Sequence, residues 1–126
     1  MLKPLAIGFS LPLIIVGSAM AQDVANGEKI FKRCAACHVV NAPTNRVGPS
    51  LQGLFGRTAG TEAGYKYSDA MIAKGKGGWV WNAETLSTYL ENPKGVVEGT
   101  KMAFPGLKKP EERADVIAYL EEATKP

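Results

Sequence analysis

Apolar residues recur at three- and four-residue steps in four stretches of the chain, each bounded by residues that favour helix ends. Asp23 and Asn26 are candidate caps for a first helix running through Gly27 and Phe31 to Cys34. Ser68 can cap a short second helix that Gly75 ends, and Asn82 a third in which Leu86, Tyr89 and Leu90 form one stripe before Asn92-Pro93 stops it. A fourth starts near Pro110, carries Glu111 and Glu112 in its first turn, buries Val116, Ile117 and Leu120, and ends about Ala123. Between Val39 and Gly64 the chain is rich in Gly, Pro, Asn and Thr without sustained period, which predicts a long loop wrapped around something. No alternating strand pattern, internal repeat or low-complexity tract competes, so the expected fold class is all-α.

The first residues follow another pattern. Lys3 precedes a mostly apolar run from Leu5 to Val16, and Ala19-Met20-Ala21 is a small-x-small step, together reading as a signal peptide over residues 1–21 cleaved after Ala21. The run is short for a membrane span, which needs about 20 residues, and Pro12 interrupts it. Cleavage would leave residues 22–126 as a single domain that does not span a membrane, with 14 basic and 12 acidic side chains. That near-neutral balance argues against a nucleic-acid partner, which would call for a strong basic excess.

The densest chemistry is Cys34-Ala35-Ala36-Cys37-His38, which holds both cysteines and the only histidine. C-x-x-C-H is the attachment signature of a c-type haem: positions i and i+3 of a helical turn share a face, so two thiols reach one porphyrin and the next residue offers an imidazole to iron. A structural zinc site would need a fourth Cys or His that the chain lacks. A thioredoxin-like pair belongs beside a βαβ pattern, and a plain disulfide leaves His38 unexplained. One covalent haem c on Cys34 and Cys37 uses all three residues, and with the apolar leader it places the chain in a bacterial periplasm.

The second axial position decides between carrier and catalyst, and a second histidine is impossible here. Met71 falls inside the second helix beside Ile72, where an ordinary packed side chain is expected. Met102 stands in Gly99-Thr100-Lys101-Met102-Ala103-Phe104-Pro105-Gly106, a loop whose Gly and Pro residues forbid a regular helix and can fix a projecting side chain. Its thioether is the expected partner of His38, and a His/Met pair raises the reduction potential.

Together with the haem motif, Gly48-Pro49-Ser50-Leu51, Gly53-Leu54-Phe55-Gly56-Arg57, and Tyr89-Leu90-Glu91-Asn92-Pro93 through Gly99-Thr100-Lys101-Met102 resemble the small soluble class I cytochromes c, of the mitochondrial and bacterial electron-carrier type. The resemblance implies about four helices and long loops around one haem, with His38 and Met102 on the iron and the Pro49 carbonyl orienting the imidazole. It implies that Arg57, Tyr67 and Trp81 hydrogen-bond a haem propionate, that Tyr89 and Thr100 lie close to the methionine sulfur, and that Gly27, Phe31 and Tyr119 form a helix crossing. Arg33, Lys94, Lys101, Lys108 and Lys109 would surround the haem edge. Two departures stand out: Met71 replaces an Asn common in relatives, and the segment between His38 and Pro49 is slightly shorter than in the mitochondrial form.

The expected function is therefore a monomeric shuttle of single electrons in a respiratory or similar chain, not an enzyme. Its expected partners are acidic-surfaced redox proteins such as a cytochrome oxidase, a cytochrome bc complex, a dehydrogenase or a photosynthetic reaction centre. The rival reading is a haem enzyme or gas sensor whose distal ligand is displaceable, binding peroxide, nitric oxide or carbon monoxide.

Overall fold

A computed structural model describes residues 2–12 and 22–126. The region expected to contain the cleavage site, 13–21, lies outside the described residues. Residues 2–12 carry no regular structure and stand exposed. Five helices follow in order: α1 Val24–Phe31, α2 Asp69–Lys76, α3 Ala83–Glu91, α4 Pro93–Val96 and α5 Pro110–Ala123. Among the described residues the β-structure is one isolated antiparallel bridge between Thr58 and Val80, so the all-α expectation holds.

Capping explains most boundaries. Asp23 accepts from the Asn26 backbone, Ser68 from Met71, and Asn82 forms a reciprocal capping box with Thr85. Asn92-Pro93 ends α3 as expected, but Asn92 also accepts from Gly95 and Pro93 opens the four-residue α4, one helix beyond the expected number. Proline at the first helical position forfeits no bond, because that N–H has no partner inside a helix anyway. The α-helical part of α1 stops at Phe31, short of Cys34, and the chain continues in tighter turns, with the Cys34 N–H on the Phe31 carbonyl at 2.7 Å.

Helices α1 and α5 cross at Gly27, where a Cβ would strike the Asp115 backbone carbonyl and stand 2.9 Å from Tyr119 Cβ. Phe31 and Tyr119 stack alongside, ring centroids 5.4 Å apart. Asn26 takes no capping role of its own: its Nδ2 donates to Asp115 Oδ2 at 2.9 Å, while Oδ1 of the same carboxylate accepts from the Asp23 backbone N–H at 2.9 Å. A carboxylate of α5 thereby serves the positive end of α1, a long-range cap that local pattern cannot show.

Arg113 on α5 is buried and satisfied by Ser87 Oγ and the carbonyls of Leu107 and Lys108, joining α3, α5 and the loop between them. Buried charge is tolerated only with such partners. Around these contacts Ile30, Phe31, Leu86, Val97, Val116 and Leu120 form the continuous core, and the long segment between His38 and Ser68 closes its open side.

Candidate functional site

Cys34 to His38 forms a single turn in which the Cys37 and His38 N–H groups both donate to the Cys34 carbonyl at 3.0 Å. The two thiols and the imidazole thus project from one rigid turn into a cavity of about 380 Å³. Leu51, Leu54, Leu86, Phe104, Leu107 and Val116 supply much of its apolar wall. Burial raises the Cys34 thiol pKa above its ordinary value, against the pull of Arg33.

The His38 ring is fixed from its far side. Its Nδ1 lies 2.8 Å from the Pro49 carbonyl, and the loop bearing Pro49 is tied to the motif by Gly48 N–H on the Cys37 carbonyl at 2.9 Å and Leu51 N–H on the Val39 carbonyl at 2.8 Å. A carbonyl can only accept, so Nδ1 carries the proton and Nε2 keeps its lone pair for a metal. Burial lowers the His38 pKa, partly opposed by the Pro49 bond, consistent with a neutral donor. Gly48 makes this approach possible, since a Cβ there would fall on the ring, 2.8 Å from Nδ1 and 2.9 Å from Nε2. Gly48→Ala is therefore expected to push the imidazole off the Pro49 carbonyl and destabilise the haem-loaded protein by about 1–3 kcal/mol, read from its denaturant midpoint and the Nδ1–H proton resonance.

All ten residues singled out from the sequence line this one cavity: Cys34, Cys37, His38, Pro49, Arg57, Tyr67, Trp81, Tyr89, Thr100 and Met102. Met102 enters from the loop between α4 and α5, where Gly99 (φ 93°) and Gly106 (φ 114°) adopt backbone angles that other residues avoid. Its N–H donates to Thr100 Oγ1 at 3.3 Å, and that hydroxyl lies 3.2 Å from the Tyr89 phenol. Burial raises the Tyr89 pKa, with the Thr100 bond pulling the other way, so the phenol is neutral and can share its proton. Trp81 packs on Tyr89 at 5.1 Å, while the buried indole N–H without a hydrogen-bond partner among the described residues is that of Trp79. Met71 is buried in the core and lines the cavity too, leaving apolar surface at that point of the wall.

Several positioning residues escaped the sequence reading. Asn45 accepts from the Ser50 N–H at 2.9 Å and donates to the Ala63 carbonyl at 3.0 Å, while Tyr65 donates to the Val47 carbonyl at 2.8 Å; both clasp the two halves of the long loop. Lys101 fastens the Met102 loop to the Lys66 carbonyl at 3.0 Å. Such bonds join residues with no local periodicity. Of the expected cationic ring, Arg33 and Lys101 border the cavity; Lys94, Lys108 and Lys109 are exposed without lining it.

The donor set fits a haem c: two thiols one turn apart, one imidazole oriented by its other nitrogen, a thioether on a fixed loop, and a few polar donors in an otherwise largely apolar cavity. The comparisons agree with that fit. A cytochrome c family profile matches residues 24–124. The chain is 53% identical to a cytochrome c of Nigella damascena over 108 residues, 84% of this chain and 95% of the relative. It is 55% identical to that of Sesamum indicum over 104 residues, 81% and 91% of the two chains, and 53% identical to that of Cochliobolus lunatus over 105 residues, 82% and 94%. These relatives are eukaryotic, from two flowering plants and a fungus, and that overturns the expected bacterial periplasmic location. An apolar run before small residues records hydrophobicity and size, neither of which specifies a compartment.

Proposed function

The chain belongs to the cytochrome c family, and from that premise we propose that it carries single electrons between redox partners, making and breaking no bonds of a substrate. Its cofactor is one haem c, attached through Cys34 and Cys37, which supplies one-electron ferrous/ferric exchange. The working unit is residues 22–126. The observation that carries this reading is the convergence of the Cys34–His38 turn and the Met102 loop on one apolar cavity.

In this reading His38 and Met102, which line the same cavity, would be the two protein ligands that hold the iron. The Pro49 carbonyl keeps the imidazole in the tautomer whose Nε2 can coordinate, and Thr100 with Tyr89 holds the backbone at Met102 so that the sulfur need not search for its place. Apolar walls keep water away, so that little solvent rearranges when charge arrives. Arg57, Tyr67 and Trp81, which line the cavity, would offer polar contacts to the haem propionates, whose charge would otherwise be costly to bury. Arg57 already donates from Nη1 to the Ser50 carbonyl at 2.8 Å and from Nη2 to the Gln52 carbonyl at 2.5 Å.

Partners with acidic surfaces, such as a cytochrome oxidase or a cytochrome bc complex, would meet the monomer at Arg33, Lys94, Lys101, Lys108 and Lys109, in brief encounters that salt screens. The deciding experiment follows the visible spectrum of the purified protein through reduction and reoxidation by such a partner at rising ionic strength. Expected are a colour that acid-acetone does not extract, a methionine-to-iron charge-transfer band in the oxidised state, no carbon monoxide adduct when reduced, and rates that fall with salt. A colourless protein would end the proposal. Ready binding of carbon monoxide would favour a gas sensor or haem enzyme instead.

A further inference from the structure

Arg57 faces the cavity, yet its charge is already engaged from behind. Its Nη2 lies 2.7 Å from Glu62 Oε2, with the two side chains only 11% and 16% exposed. Glu62 does not line the cavity and carries no haem-binding motif. It is nevertheless held at two points, because its backbone N–H donates to the Tyr67 hydroxyl at 3.1 Å. The ion pair and the phenol form one unit at the cavity wall. Burial does most to raise the Tyr67 pKa; the Glu62 backbone N–H bond and the Arg57 charge lower it, and the Glu62 carboxylate raises it, so both charges are felt at the phenol.

We propose that Glu62 is a positioning residue that sets the ferrous/ferric balance, by offsetting the Arg57 charge presented to the haem and by fixing the direction of that guanidinium. The inference rests on the haem reading above. Reduction adds one electron, supplied by a one-electron donor protein, and changes no other bond. A cation at the wall favours the form with the extra electron, and a carboxylate behind that cation cancels part of the effect. Because both groups are largely withdrawn from water, the cancellation is less screened than at a surface pair. With Glu62 neutralised, Arg57 acts on the haem uncompensated and the ferrous form gains.

The test is a potentiometric titration of the haem-loaded protein at neutral pH and low salt, in the original chain, Glu62→Gln, Glu62→Asp and the exposed control Glu28→Gln. Glu62→Gln is expected to move the equilibrium toward ferrous by roughly threefold to tenfold, the upper figure being about 59 mV for one electron. Glu62→Asp keeps the charge on a shorter stem and should shift the same way by less. Should Glu62→Gln fail to retain haem, the Asp variant decides alone. Glu28→Gln should stay within about twofold, as a remote surface charge would. Coloured variants with unaltered spectra and equal potentials, or a shift toward ferric, would overturn the role of Glu62. Colourless protein throughout would overturn the haem reading beneath it.

Discussion

Gly27→Ala is expected to destabilise the haem-loaded protein by about 3 kcal/mol or more, a large share of the roughly 5–15 kcal/mol that holds a small domain together. Helix propensity alone predicts the opposite sign, since Ala in a helix interior is better than Gly by about 1 kcal/mol. Contact geometry decides the matter. The added methyl would overlap the Asp115 carbonyl and crowd Tyr119 Cβ, neither of which can rotate away as a flexible side chain would. Helices α1 and α5 would have to separate, disturbing the Phe31–Tyr119 contact and both bonds to the Asp115 carboxylate. Gly77 supplies the control: at φ −77° its Cβ would meet only the Lys74 carbonyl at 3.4 Å and the Ala73 carbonyl at 3.5 Å. Gly77→Ala should change stability by less than about 1 kcal/mol. Equal denaturant midpoints for the Gly27 and Gly77 variants would refute the account of the crossing.

Met102→Ala is expected to leave the fold largely intact and alter the iron. Losing a soft sulfur that favours the reduced state should move the ferrous/ferric equilibrium toward ferric by at least tenfold, about 59 mV for one electron, and should let the reduced protein bind carbon monoxide. The methionine charge-transfer band should vanish. Met71→Leu separates the two candidate sulfurs, because Met71 also borders the cavity but belongs to α2 and the buried core. Loss of the band in the Met71 variant and its survival in the Met102 variant would reverse the assignment.

Much of this was legible in the sequence because the information is local. Caps at Asp23, Ser68 and Asn82, the stop at Asn92-Pro93 and the start at Pro110 all follow from side chains within a few residues of the helix end they govern. The turn of Cys34 to His38 is likewise its own explanation. Asp115, Arg113 and Glu62 were not legible, for a common reason: each acts on a group its own neighbourhood does not reveal, whether across 92 residues, across an α3–α5 gap, or behind a cavity wall. Asn26 shows the same limit from the other side, its type suggesting a cap and its position in space making it a strut. The apolar run from Leu5 to Val16 misled about location because, together with the haem motif, it suggests export into a periplasm, whereas neither hydrophobicity nor haem attachment specifies that compartment.

The Asp115 carboxylate that receives both Asp23 and Asn26 has a bearing on biogenesis. During synthesis α1 emerges well before α5 exists, so the crossing at Gly27 cannot close until α5 has left the ribosome. Throughout that interval Cys34 and Cys37 belong to an open chain, accessible to whatever apparatus joins porphyrin to sulfur. Docking of α5 on α1 would then complete the crossing around a turn already exposed to that apparatus.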